Sequence, residues 1–172
     1  MSARAKKVEF ESLKQQIRSY LHVRNKLIQF FKNFDFLNGN DNIIGRIGEF
    51  IVYQYLLECK RRPIQAKLNQ KGFDFLCDEK IRVSVKTITH ENKSGRTTKI
   101  NENWDELILI HLNEKFKVEQ IGVITKIEFN KALKENHIRS ATPTASITMF
   151  NKNGLIGTYG KILESKIINK YI

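Results

Sequence analysis

The sequence predicts a single α/β domain, and three observations predict it. Two long segments with helical apolar spacing come first. Three short strand-like segments joined by tight turns follow. Then comes an almost wholly apolar run, Leu107-Ile108-Leu109-Ile110-His111-Leu112, which suits a central strand buried on both faces. With 172 residues and 41% hydrophobic content, the chain is long enough for one sizeable core and too apolar to stay disordered. No internal repeat, linker or low-complexity segment divides it.

The first helix is expected over residues 8–34, where Phe10, Leu13, Ile17, Leu21, Ile28 and Phe31 trace one stripe, with room for one break. Lys14, Arg18, Arg24, Lys26 and Lys32 fall on its other face, as a solvated surface or as a surface for DNA or a partner. Asn38-Gly39-Asn40-Asp41 reads as a turn that caps the next helix. That helix, over residues 42–60, carries Ile43, Ile44, Ile47, Phe50, Ile51, Val52, Tyr53, Leu56 and Leu57 around nearly its whole circumference, so it should be largely buried. Gly45 and Gly48 leave room for close backbone packing. Glu49 stands out in this setting, because an unpartnered buried carboxylate costs several kcal/mol or shifts its pKa. It needs a metal, a cation or a water-filled pocket, and Arg46 could supply an ordinary salt bridge.

Strands are expected at residues 63–68, 73–77 and 81–88, with turns at Asn69-Gln70-Lys71-Gly72 and Asp78-Glu79-Lys80. Such short connections favour an antiparallel meander. Residues 89–103 are polar and read as a long loop. Residues 121–124 read as a strand, 126–135 as a helix, and 141–160 as irregular strands and turns. The expected organisation is an N-terminal helical segment (1–40), a core (41–136) and a C-terminal extension (137–172).

A formal charge of +12 and a pI near 9.7 suit a polyanionic partner, although a solubilising surface has the same composition. No apolar run is long enough to span a membrane, and no signal-peptide core follows Met1. Cys59 and Cys77 read as small core residues of a reducing, cytoplasmic compartment. His22, His90, His111 and His137 lack zinc spacing, and Gly154, Gly157 and Gly160 form no phosphate loop. Trp104, just ahead of the apolar run, reads as core.

Phosphodiester hydrolysis needs charge neutralisation, an activated water and a held phosphate. Hard cations such as Mg²⁺ take carboxylate, carbonyl and water oxygens. Asp74 and the main-chain carbonyl of Val85 could supply ligands, and Lys86 could hold the water or the phosphate. On an alternating strand Ser84 and Lys86 share one face, within reach of Asp74 if the register permits. Thr89, Asn92, Lys93, Ser94, Arg96, Thr97, Thr98 and Lys99 have the chemistry for DNA contacts, and Arg139 to Thr144 form a weaker set.

The order Glu49, then Gly72-Phe73-Asp74, then Val83-Ser84-Val85-Lys86-Thr87 resembles the PD-(D/E)XK nuclease superfamily. The resemblance spans residues 44–112. It implies a restriction-endonuclease-like core: a mixed central sheet flanked by helices, here with an N-terminal helical extension. It also implies a Mg²⁺-dependent DNA endonuclease, with Mn²⁺ able to substitute, most like a type II restriction enzyme. Asp74 and Glu49 would bind metal with Val85, Lys86 would position water, and Ser84 would hydrogen-bond a ligand or water. Two departures stand out. Phe73 replaces a proline, and Ser84 replaces the acid of the acidic-x-lysine motif, leaving Glu49, Glu102 or Glu91 to supply the missing carboxylate. Cutting both strands of double-stranded DNA with one site per chain favours a homodimer. The rival expectations are a structure-specific repair or junction-resolving nuclease, a non-catalytic nucleic-acid-binding domain of the same fold, and a protein-interaction domain.

Overall fold

The computed structural model describes residues 3–32, 42–66, 72–92 and 95–163. The chain divides into two compact units, Met1–Asn40 and Asp41–Ile172. The first contains helix α1 (Ala3–Lys32). It runs unbroken for 30 residues, about 45 Å at 1.5 Å per residue, because no glycine or proline interrupts it. Tyr20, Val23 and Phe30 are exposed on it. Among the described residues no helix is long and apolar enough to cross a membrane.

The second unit begins with α2 (Ile43–Glu58), whose Asn42 side chain accepts from the Gly45 N–H at 2.9 Å. The expected turn at residues 38–41 lies outside the described residues. Arg46, Gly48, Ile51, Val52 and Leu56 form the buried face of α2. The expectation of near-complete burial fails along the helix: Ile43, Ile44, Ile47, Phe50 and Tyr53 are half-buried, and Leu57 is 48% exposed. One sheet face can cover only one side of a helix, however apolar the other side is.

Among the described residues eight strands follow: β1 (Pro63–Gln65), β2 (Phe75–Cys77), β3 (Ile81–Thr89), β4 (Arg96–Lys99), β5 (Glu106–Leu112), β6 (Val118–Thr125), β7 (Thr144–Ser146) and β8 (Lys161–Ile162). Six form one sheet in the order β1-β2-β3-β5-β6-β8. All its pairings are antiparallel except β3 with β5, so the sheet is mixed. The first three strands are the expected meander; its turn at residues 69–71 lies outside the described residues. The β2–β3 turn places Asp78 and Glu79 at φ of 53° and 64°, which suits a tight hairpin reversal. A parallel β3–β5 pair needs a crossover, and the polar segment after β3 supplies it.

That segment is not the long loop that its composition suggests. Arg96–Lys99 form β4, which pairs antiparallel with β7 as a separate two-stranded ribbon. Its hydrogen bonds come from a partner some fifty residues along the chain, which local composition does not reveal.

Between β6 and β7 lies α3 (Lys126–Lys134), closed at its start by a reciprocal Thr125–Glu128 capping box. A 3₁₀ turn (Ile147–Phe150) and the short α4 (Leu155–Tyr159) follow β7. One buried cluster joins Phe73, Ile88, Ile100, Trp104, Leu107, Leu109, Phe129, Ala145, Phe150 and Ile156. Residues beyond 136, expected as an extension, therefore contribute to this core. β5 is buried from Leu107 to Leu112, as its composition requires. Cys77 is buried, but Cys59 is exposed where α2 ends, contrary to its expected place in the core.

Candidate active site

The two faces of β3 carry different structure. Parallel pairing sets Ser84 beside Leu107 and Lys86 beside Leu109, and both leucines belong to the cluster under α3. Alternation turns Val83, Val85 and Thr87 to the other face. There α2 lies so close that a Cβ on Gly48 would stand 1.8 Å from the Thr87 hydroxyl oxygen. That glycine sets the separation of helix and strand, and Glu49 is the next residue along the helix.

Asp74 connects the two sides. It sits in a bend one residue ahead of β2, not within a strand as the sequence suggests. Its N–H donates to the Val83 carbonyl at 2.8 Å, and its own carbonyl accepts from the Ala66 N–H at 2.9 Å. Its side-chain Oδ2 accepts from the Val85 N–H at 2.6 Å, with a longer contact from the Ser84 hydroxyl at 3.5 Å. The carboxylate thus substitutes for a strand carbonyl and lies in the plane of the ladder, where β2 has turned away. Main-chain N–H and C=O of one strand residue point to the same neighbour. The Val85 carbonyl is therefore directed toward this same edge.

The electrostatics tie three elements together. The Glu49 carboxyl is pushed up to about 8, first by burial and then by the Asp74 carboxylate, with Arg46 and Lys86 opposing. Asp74 is raised as well; burial drives it, and the Val85 N–H, Lys86 and the Ser84 hydroxyl oppose it. Glu49, Asp74 and Lys86, each half-buried, therefore lie within electrostatic reach of one another.

Glu49, Asp74, Ser84, the Val85 main chain and Lys86 are gathered in this way. Glu102 and Glu91 are exposed and act on neither Asp74 nor Glu49; Glu102 uses its main-chain carbonyl to accept from Lys126. Arg96, Thr97, Thr98 and Lys99 lie on β4, whereas Lys93 and Ser94 fall outside the described residues. Sequence reasoning treated Arg46 only as a pairing partner of Glu49 and did not assign Thr87 to the α2 contact. The signal for the second was Gly48, a small residue in an otherwise bulky helix.

Among the described residues no three His, Cys, Asp or Glu side chains converge into a metal cluster. The donor set nevertheless suits a hard cation. The carboxyls of Asp74 and Glu49, both raised first by burial, and the Val85 main-chain carbonyl are oxygen donors of the kind that a divalent ion with several waters accepts.

No protein-family model matches the chain, and no curated protein does. Among solved structures, a bacterial homing endonuclease overlaps 51% of this chain and 70% of its own, at 17% identity and a TM-score of 0.36. An overlap that loose transfers neither activity nor residue roles.

Proposed function

We propose that this protein is a divalent-metal-dependent endonuclease that hydrolyses phosphodiester bonds in double-stranded DNA. One observation carries the reading: Glu49, Asp74 and Lys86, from a helix, a bend and a strand and each half-buried, lie within electrostatic reach of one another. A fold has little reason to bury two repelling carboxylates unless a cation or a reaction uses them. Glu49, Asp74 and the Val85 carbonyl would hold Mg²⁺ or Mn²⁺. The ion, when bound, neutralises charge developing on the phosphate. Lys86 holds the attacking water or a phosphate oxygen, and its charge favours the anionic transition state. Ser84 and the Val85 N–H fix the Asp74 carboxylate so that its other oxygen is free to bind. The finer reading is a type II restriction enzyme acting as a homodimer, since one site per chain cuts one strand.

The test is cleavage of supercoiled plasmid with Mg²⁺, with Mn²⁺ and with chelator. Asp74→Asn and Lys86→Ala should each lower the rate by roughly 100-fold or more, while Ser84→Ala should cost less, because the Val85 N–H still orients Asp74. Cleavage that survives both Asp74→Asn and Lys86→Ala refutes the assignment. A second reading has its own support in Ser84, which stands where the family pattern has an acid. Salt-sensitive DNA binding without metal-dependent cleavage would select a non-catalytic domain.

A further inference from the structure

The β4–β7 ribbon carries information that the linear sequence hides. Arg96 pairs with Ser146 and Lys99 with Thr144, so three steps on β4 match two on β7. The extra residue is a bulge. In a regular strand, residues three apart point to opposite faces. Ser146 and Thr144, two apart, share a face, and each takes its partner onto that face. The bulge therefore puts Arg96 and Lys99 on one side of the ribbon, about 7 Å apart. Ala145, between the two β7 partners, points the other way and is fully buried in the core cluster.

The segments that build the ribbon are basic. Residues 95–101 and 139–153 contain Arg96, Lys99, Arg139 and Lys152 but no Asp or Glu. Arg96, Thr98, Lys99, Arg139 and Thr144 are exposed. The inner face is fixed to the core that also fixes the candidate site. Phe73, next to Asp74, is clustered with Ala145 and with Ile100, whose N–H extends the ribbon by donating to the Pro143 carbonyl at 2.8 Å. A two-stranded ribbon is one of the shapes that the major groove of B-DNA admits.

We propose that the β4–β7 ribbon enters the major groove of duplex DNA, with Arg96 and Lys99 on the phosphate backbone and the hydroxyl of Thr144 toward base edges. This rests on the nuclease reading for its partner but not for its evidence. The decisive measurement is binding of the full chain to a labelled mixed-sequence duplex across a salt series, in chelator so that no cleavage occurs. An Arg96→Ala/Lys99→Ala double variant should reduce the slope of log K against log salt by about 2, one for each phosphate that is no longer neutralised. Lys131→Ala/Lys134→Ala, which removes the same charge from the exposed side of α3, should leave the slope close to wild type. Both variants should keep the wild-type melting temperature, since the four side chains are exposed. An unchanged slope in the ribbon variant, an equal loss in the α3 variant, no duplex binding by wild type, or preference for single-stranded DNA or RNA would each overturn the proposal. Loss of binding in the ribbon variant alone upholds it even if no preparation cleaves DNA. Metal-dependent cleavage with an unchanged slope retains the nuclease and removes the ribbon.

Discussion

Replacing Glu49 with Gln should stabilise the metal-free protein at alkaline pH. Its carboxyl is held at about 8 against an ordinary 4.5. Below about 4.5 it is protonated whether the chain is folded or not, and it adds no pH dependence. Between 4.5 and 8 the folded state keeps a proton that the unfolded state releases, so wild-type stability falls as pH rises. The penalty grows by about 1.4 kcal/mol per pH unit and reaches about 5 kcal/mol above pH 8. Gln keeps the shape and removes the charge. Urea unfolding of wild type and Glu49→Gln in chelator, at pH 5 and pH 8.5, measures the difference directly. The variant's advantage should be small at pH 5 and several kcal/mol at pH 8.5. The raised pKa of Asp74 works in the same direction, so Asp74→Asn should share the sign. A pH-independent difference, or a wild type that gains on the variant as pH rises, would refute the buried pairing on which the site depends.

Gly48→Ala should cost about 1–3 kcal/mol in urea unfolding and should lower cleavage with it, because the added methyl meets the Thr87 side chain and displaces the helix that carries Glu49. Glu79→Gly should raise stability by about 1 kcal/mol with cleavage unchanged, since Glu79 sits at φ of 64° in an exposed hairpin turn; a lower melting temperature would contradict that turn geometry. Ser84→Asp, which restores the acid of the resembled motif, should destabilise the chain by roughly 3 kcal/mol and lower its activity. Position 84 is 2% exposed and already touches Asp74; a stable, faster enzyme would contradict that placement.

What could be read from the sequence was whatever local periodicity encodes. The meander, the buried β5 and the helix at 126–134 all announce themselves through spacing, turn residues or an unbroken apolar run. The candidate site was legible to the same extent, because a glutamate in an apolar helix is anomalous on its own. What was not legible depends on register and on distant pairing. No pattern in residues 96–99 points to residues 144–146, and a five-residue helix such as α4 is too short for periodicity to register. The position of Asp74 in the ladder plane likewise follows from where β2 leaves β3, which the sequence leaves open by a residue or two.

The placement of the second carboxylate has a physical explanation. Position 84 shares its face with Leu107 and the apolar cluster under α3, so an acid there would be buried among hydrocarbon. Position 49 lies on the opposite side of the sheet, where Arg46 favours its ionised form, as does the Lys86 charge from the Ser84 side of β3. Asp74, lying in the ladder plane, is in electrostatic reach of both sides. A carboxyl on the helix at position 49 is thus within electrostatic reach of Asp74 and of both Arg46 and Lys86. With its carboxyl pushed up to about 8, Glu49 keeps its proton at neutral pH, so Arg46 and Lys86 face no excess of negative charge here before any ion arrives. A carboxylate at position 84 would be buried directly beside Asp74 and repel it, which makes a serine there the less costly residue.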